Sequence, residues 1–165
     1  KIGSEPAGNI TIDNNDYLTI EPSSVGATTI NDLFVDADTV MKVTPAVFTV
    51  LGDFINDGTF TALGATTSFA VLGDFTNSGV ATFTSDVSTV EGNIVNSGTL
   101  NLSSPTLNVL GNVTSSSTGI VNLTSTTTNL WGNLTTNDGI FTATAGTVFL
   151  KATTTAISGA HTFYN

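Results

Sequence analysis

The 165-residue sequence contains no cysteine and no arginine, and its only basic side chains are Lys1, Lys42 and Lys151. Without cysteine there can be no disulfide, thiolate metal site or thiol redox chemistry, a composition that fits an extracellular bacterial protein. Without arginine the chain lacks the bidentate clamp for phosphate, and thirteen acidic residues bring the net charge to −10 at pH 7. Such a field repels nucleic acid and anionic lipid, so neither is expected as a partner. No apolar run approaches the roughly 20 residues needed to cross a bilayer, and membrane insertion is not expected. Lys1 opens no basic-then-apolar leader, so any signal peptide is expected to have been removed already or left out of this sequence. Helical periodicity is missing too: no segment spaces its apolar residues by three and four, as an amphipathic helix would.

What is present is a strand vocabulary of Thr, Val, Ile and Phe, punctuated by Gly and by Asn-Asp or Asn-Ser pairs. FTVLGDFINDGTF (Phe48 to Phe60) is followed by FAVLGDFTNSGV (Phe69 to Val80) and STVEGNIVNSGTL (Ser88 to Leu100). LNVLGNVTSSSTGIV (Leu107 to Val121), TNLWGNLTTNDGIF (Thr128 to Phe141) and TVFLKATTTAISGAH (Thr147 to His161) continue the series with drift. With Gly52, Gly73, Gly92, Gly111, Gly132 and Lys151 taken as equivalent, the steps are 21, 19, 19, 21 and 19 residues. A period this short predicts one coil per repeat, stacked on the next. The expected fold is all-β, a single-domain parallel β-helix (solenoid), right-handed, with 19–21 residues per coil and roughly seven to eight coils. Residues 1–7 read as a polar lead-in, 8–47 as degenerate N-terminal coils and 48–165 as regular repeats. Within 8–22, alternation around Asn14 and Asn15 reads as two short strands about a turn, and Thr29 to Leu33 is aligned with Val50 to Phe54.

Equivalent positions define the core. Val50, Val71, Val90, Val109, Leu130 and Phe149 are expected to form one inward column, and Phe54, Phe75, Ile94, Val113, Leu134 and Thr153 a second. On the third side the inward pairs are Phe60/Ala62, Ala81/Phe83, Leu100/Leu102, Val121/Leu123, Phe141/Ala143 and His161/Phe163. Large and small residues exchange places there, as a shared slot of fixed volume requires. Between them Thr61, Thr82, Asn101, Asn122, Thr142 and Thr162 should point outward.

The polar columns read as structural. Asn56, Asn77 and Asn96, followed by Ser115 and Thr136, are expected to form a turn ladder of amides bonded to one another and to backbone. Asp53, Asp74, Asn93, Asn112 and Asn133 form a second turn column. Asp32, Asp36 and Asp38 cluster in NDLFVDAD, but neither an EF-hand loop nor a GGxGxD nonapeptide accompanies them, and no metal is assigned. His161, the only histidine, occupies a slot filled elsewhere by Phe60 and Phe141 and reads as packing. Carboxylates are scattered among the coils, so neither catalysis nor a cofactor is expected. Asn-x-Ser/Thr sequons at Asn9, Asn101, Asn112, Asn122 and Asn133 are possible glycosylation sites.

One stripe has no evident internal use. Leu51, Leu72, Glu91, Leu110, Trp131 and Leu150 lie one place after the inward column, so pleat alternation sends them outward. Either a bend at the adjoining glycine turns them back inward, or they mark an interface that should cover them. The last coil, with Leu150, Phe163 and Tyr164, is as apolar as an interior one and is expected to stack on another coil.

GDFINDGTF, GDFTNSGV and GNIVNSGTL, with NITIDNNDYLTIEP near the start and ISGAHTFYN at the end, resemble the repeat vocabulary of secreted β-solenoid surface proteins and adhesins of Bacteroidetes. That resemblance implies export, an extracellular rod, and adhesion or filament building. Asp38-Thr39-Val40 likewise resembles the Asp-Ser/Thr-aliphatic site at which some Bacteroidetes attach O-glycans, which makes Thr39 a candidate. The expected role is a non-enzymatic structural subunit or segment of a self-assembling extracellular or cell-surface fibre, its partner being itself, head to tail, or further repeats of the same chain. The alternative is an adhesin or carbohydrate-binding solenoid using the Thr/Asn face for glycans, with ice binding behind it.

Overall fold

The computed structural model describes residues 8–12, 16–20, 27–63 and 67–163. Lys1 to Ala7, the turn at Asn14 and Asn15, and Tyr164 lie outside the described residues. The strands are two to four residues long and fall into three parallel sheets, as in a β-solenoid. The first sheet stacks Ile10–Ile12, Leu33–Val35, Phe54–Asn56, Phe75–Asn77, Ile94–Asn96, Val113–Ser115, Leu134–Thr136 and Ile157–Ser158. The second stacks Tyr17–Ile20, Val40–Val43, Thr59–Ala62, Val80–Phe83, Thr99–Leu102, Ile120–Leu123, Ile140–Ala143 and His161–Phe163. The third stacks Ala27–Ile30, Val47–Val50, Ser68–Val71, Val87–Val90, Thr106–Val109, Thr127–Leu130 and Thr147–Leu150. One strand from each sheet makes a coil, giving about seven coils of about 20 residues, and among the described residues there is no helix.

Every strand pairs with its own counterpart one coil away, so a side chain meets its equivalent above and below. Alternation of period two then sends every second residue inward, and the inward faces of the three sheets close on one another as the core. Six rings, Phe48, Phe54, Phe60, Phe69, Phe75 and Phe83, fill its middle coils with centroid separations of 4.7–6.5 Å. Towards the C-terminal coils Leu and Val replace them and packing is looser. A void of about 20 Å³ lies among Leu107, Val109, Val121, Thr128 and Leu130, and the buried Thr128 hydroxyl has no hydrogen-bond partner. The exchanging pairs of the second sheet sit as the volume argument requires: Phe60 stacks on Ala81, Ala62 on Phe83, and Phe141 on His161.

Three alignments differ from the sequence reading. In the last coil Leu130 pairs with Leu150 and Asn129 with Phe149, so Leu150 belongs to the inward column and Phe149 points outward. The inward partner of Leu134 is Ile157, not Thr153, because the loop between the two strands of that coil is longer. Near the start Ile30, not Thr29, pairs with Val50 while Leu33 still pairs with Phe54, so that corner is one residue shorter. The strands Ile10–Ile12 and Tyr17–Ile20 also enter different sheets and do not pair with each other.

The corner glycines are set by close approach of stacked backbone. A Cβ on Gly111 would lie 2.3 Å from the Gly92 carbonyl oxygen and 2.5 Å from its carbon. The clashing atoms, with the Asn93 nitrogen, are all backbone of the preceding coil, which has no rotamer to absorb the clash. Gly111→Ala should therefore destabilise the fold by about 1–3 kcal/mol, as overpacking does. Urea denaturation checks this, and a midpoint equal to the parent's would contradict the close approach.

Candidate functional site

Asn56, Asn77 and Asn96 are fully buried on the first sheet. The Asn56 amide nitrogen donates to Asn77 Oδ1 at 2.7 Å, and that of Asn77 to Asn96 Oδ1 at 2.7 Å. The same nitrogens reach the carbonyls of Gly58 and Val80, Gly79 and Thr99, and Gly98 and Ile120. The ladder thus ties two turns of backbone at each step. It begins under Val35, where Asn56 Oδ1 has no partner, and gives way to Ser115 and Thr136.

A second ladder runs along the outer corner. A side-chain oxygen of Asp32, Asp53, Asp74, Asn93, Asn112 and Asn133 accepts the backbone N–H of the next residue in the column, at 2.7–3.0 Å, ending on Ala156. Two amide stacks complete the polar surface: Asn122 Nδ2 to Asn101 Oδ1 on the second sheet and Asn129 Nδ2 to Asn108 Oδ1 on the third, both 2.9 Å. The sequence reading missed the second stack, although Asn108 and Asn129 repeat at the same interval as Asn101 and Asn122.

These bonds bear on the glycan candidates. The amide nitrogens of Asn101, Asn112 and Asn122 donate to Thr82, Asn93 and Asn101. Asn133 is exposed, and its Oδ1 accepts the Ala156 N–H. Thr39 is 1% exposed and its hydroxyl donates to the Asp36 carbonyl at 2.6 Å, so the folded coil gives a modifying enzyme no access to it.

Among the described residues no three His, Asp or Glu side chains converge as a metal set. His161 lies against Phe141 and Phe163, its Nδ1 3.1 Å from the Gly159 carbonyl and its Nε2 unpartnered. On the second sheet Lys42 hydrogen-bonds Tyr17 and sits 5.4 Å over its ring, which lowers the phenol pKa at the surface.

The stripe is outward. Leu51, Leu72, Leu110 and Trp131 are 40%, 37%, 44% and 39% exposed. Leu150 is not part of it: Lys151 takes the slot after Trp131, donating its N–H to the Leu130 carbonyl as Trp131 donates to Val109. Leu150 and Phe163 are exposed for a different reason, because they are inward residues of the last described coil. With Ile157 and Val148 they floor an open concavity of about 350 Å³.

No helix among the described residues is long and apolar enough to cross a membrane. Compared with protein-family models, curated protein sequences and solved structures, the chain matches none.

Proposed function

We propose that the chain is a structural rod segment of an extracellular or cell-surface fibre, extended when a further coil docks on the strands Thr147–Leu150, Ile157–Ser158 and His161–Phe163. The observation that supports this is the contrast between the two ends of the stack. Ile12, Ile20 and Ile30 in the first coil are buried, whereas the inward-column residues Leu150, Ile157 and Phe163 are 45%, 43% and 48% exposed. An apolar, unpaired strand edge is a template for another strand, and a coil laid on it gains backbone pairing and core burial together. The docking coil comes from another copy, head to tail, or from further repeats of the same chain. Light scattering and negative-stain microscopy test the first source. Rods longer than one chain are expected, and Leu150→Asp with Phe163→Asp should shorten them. A monodisperse parent monomer would end the case for stacking between copies.

A glycan-binding role is the second reading, supported by the in-register pair of Asn129 and the exposed Phe149, which sets an amide against an aromatic residue in the strand that leads to the exposed Trp131. Glycan-array binding that disappears in Trp131→Ser would favour it over the rod.

A further inference from the structure

We propose that the outer face of the third sheet pairs side by side with a second copy in antiparallel orientation, about a two-fold axis between the coils of Leu110 and Trp131. Four residues carry the inference: Glu91, Leu110, Trp131 and Lys151. Their N–H groups donate to Val71, Val90, Val109 and Leu130 at 2.8–2.9 Å, so they occupy one position in four successive coils. All four are exposed.

A two-fold axis running along the strands reverses the order of coils and preserves position within each strand. It therefore lays Leu110 on the partner's Trp131 and Glu91 on the partner's Lys151, each contact occurring twice. The column is charged at both ends with opposite sign and apolar in the middle, which makes it complementary to its own reverse. Asn108 and Asn129, two residues earlier on the same face, would meet in the same way.

Charge elsewhere selects this half of the rod. All of the thirteen acidic residues except Asp138 lie at or before Glu91. Leu51 and Leu72 are flanked by the corner carboxylates Asp53 and Asp74, but Leu110 and Trp131 by the neutral Asn112 and Asn133. Antiparallel overlap of the C-terminal coils points the acidic coils of the two copies away from each other. A parallel pair would set Glu91 on Glu91 and the acidic coils together. Four coils at about 4.8 Å spacing cover a few hundred Å², below the roughly 800 Å² per partner of a standard interface, so the pair is weak and concentration-dependent. The contact uses the side of the rod and does not depend on end-on stacking.

Sedimentation equilibrium of the parent and of charge variants tests it. Glu91→Lys and Lys151→Glu should each weaken self-association about tenfold or more, since each reverses two ion pairs per dimer, and the double variant should restore it. Trp131→Ser should weaken it as well. Glu91 lies three coils from the open end, so an effect of Glu91→Lys separates this contact from stacking. A parent that stays monomeric up to about 1 mM, or an association that ignores both reversals, or a double variant that is not restored, would overturn the proposal.

Discussion

Phe69→Ala is expected to lower stability by about 3–5 kcal/mol, within the range for deleting a buried aromatic ring. Phe69 is fully buried and touches four other rings, those of Phe48, Phe54, Phe60 and Phe83, at 4.7–6.5 Å. Those neighbours are held by strands paired on both sides, so the coil cannot collapse into the space. The cavity contribution should therefore add fully to the lost transfer free energy. Phe163→Ala serves as the internal control, because that ring, in the last described strand, is half exposed and its loss should cost well under half as much. Guanidinium unfolding followed by circular dichroism gives both values. Equal costs would show that the aromatic cluster is not the centre of the core.

Asn77→Asp is expected to make stability fall steeply with rising pH. Asn77 accepts from Asn56 through Oδ1 and donates through Nδ2 to Asn96 Oδ1, Gly79 O and Thr99 O. A carboxyl in this place faces three acceptors, so only its protonated form can hold the donor half of the ladder. Asn96 cannot turn its amide round to help without giving up its own bonds to Gly98 and Ile120. Burial and acceptor repulsion both raise the folded-state pKa above the unfolded value of about 3.9. Above about pH 4 the native state of the variant then holds a proton that the unfolded state has released. Its stability relative to the parent is highest below about pH 4 and declines by about 1.4 kcal/mol per pH unit until the folded pKa is reached. At neutral pH several kcal/mol are lost, as for other unpaired buried charges. Denaturation of parent and variant between pH 3.5 and 7.5 measures the difference, and parallel curves would contradict a ladder of this polarity.

Much of the architecture was legible because an in-register solenoid places each residue against its own copy. A requirement at one position is then repeated in every coil. Phe54, Phe75, Ile94, Val113 and Leu134 recur because one inward slot accepts one kind of residue, and Asn56, Asn77 and Asn96 because an amide there completes the amide above it. The Leu51, Leu72, Leu110 and Trp131 stripe was legible by parity alone. The partners of these residues were not, because a repeat pattern records what each coil needs from its neighbours in the stack and says little about a surface outside it.

Sequence alone determined the three-sided coil, its period, most of the inward columns and the buried amide ladder, since all of these are periodic and pleat parity fixes their direction; the buried column of Phe48, Phe69, Ser88, Leu107 and Thr128 was not read from it. Only the tertiary structure decided the register of the outermost coils. From Leu130 to Leu134 the chain takes four residues, but from Leu150 to Ile157 it takes seven, and from Ile30 to Leu33 only three. Loops at a corner absorb such differences freely, whereas a slip of one residue within a strand exchanges its inside for its outside. Backbone pairing with the preceding coil therefore fixed Leu150 as a core residue, turned Phe149 outward and placed Lys151 at the end of the stripe, opposite in charge to Glu91.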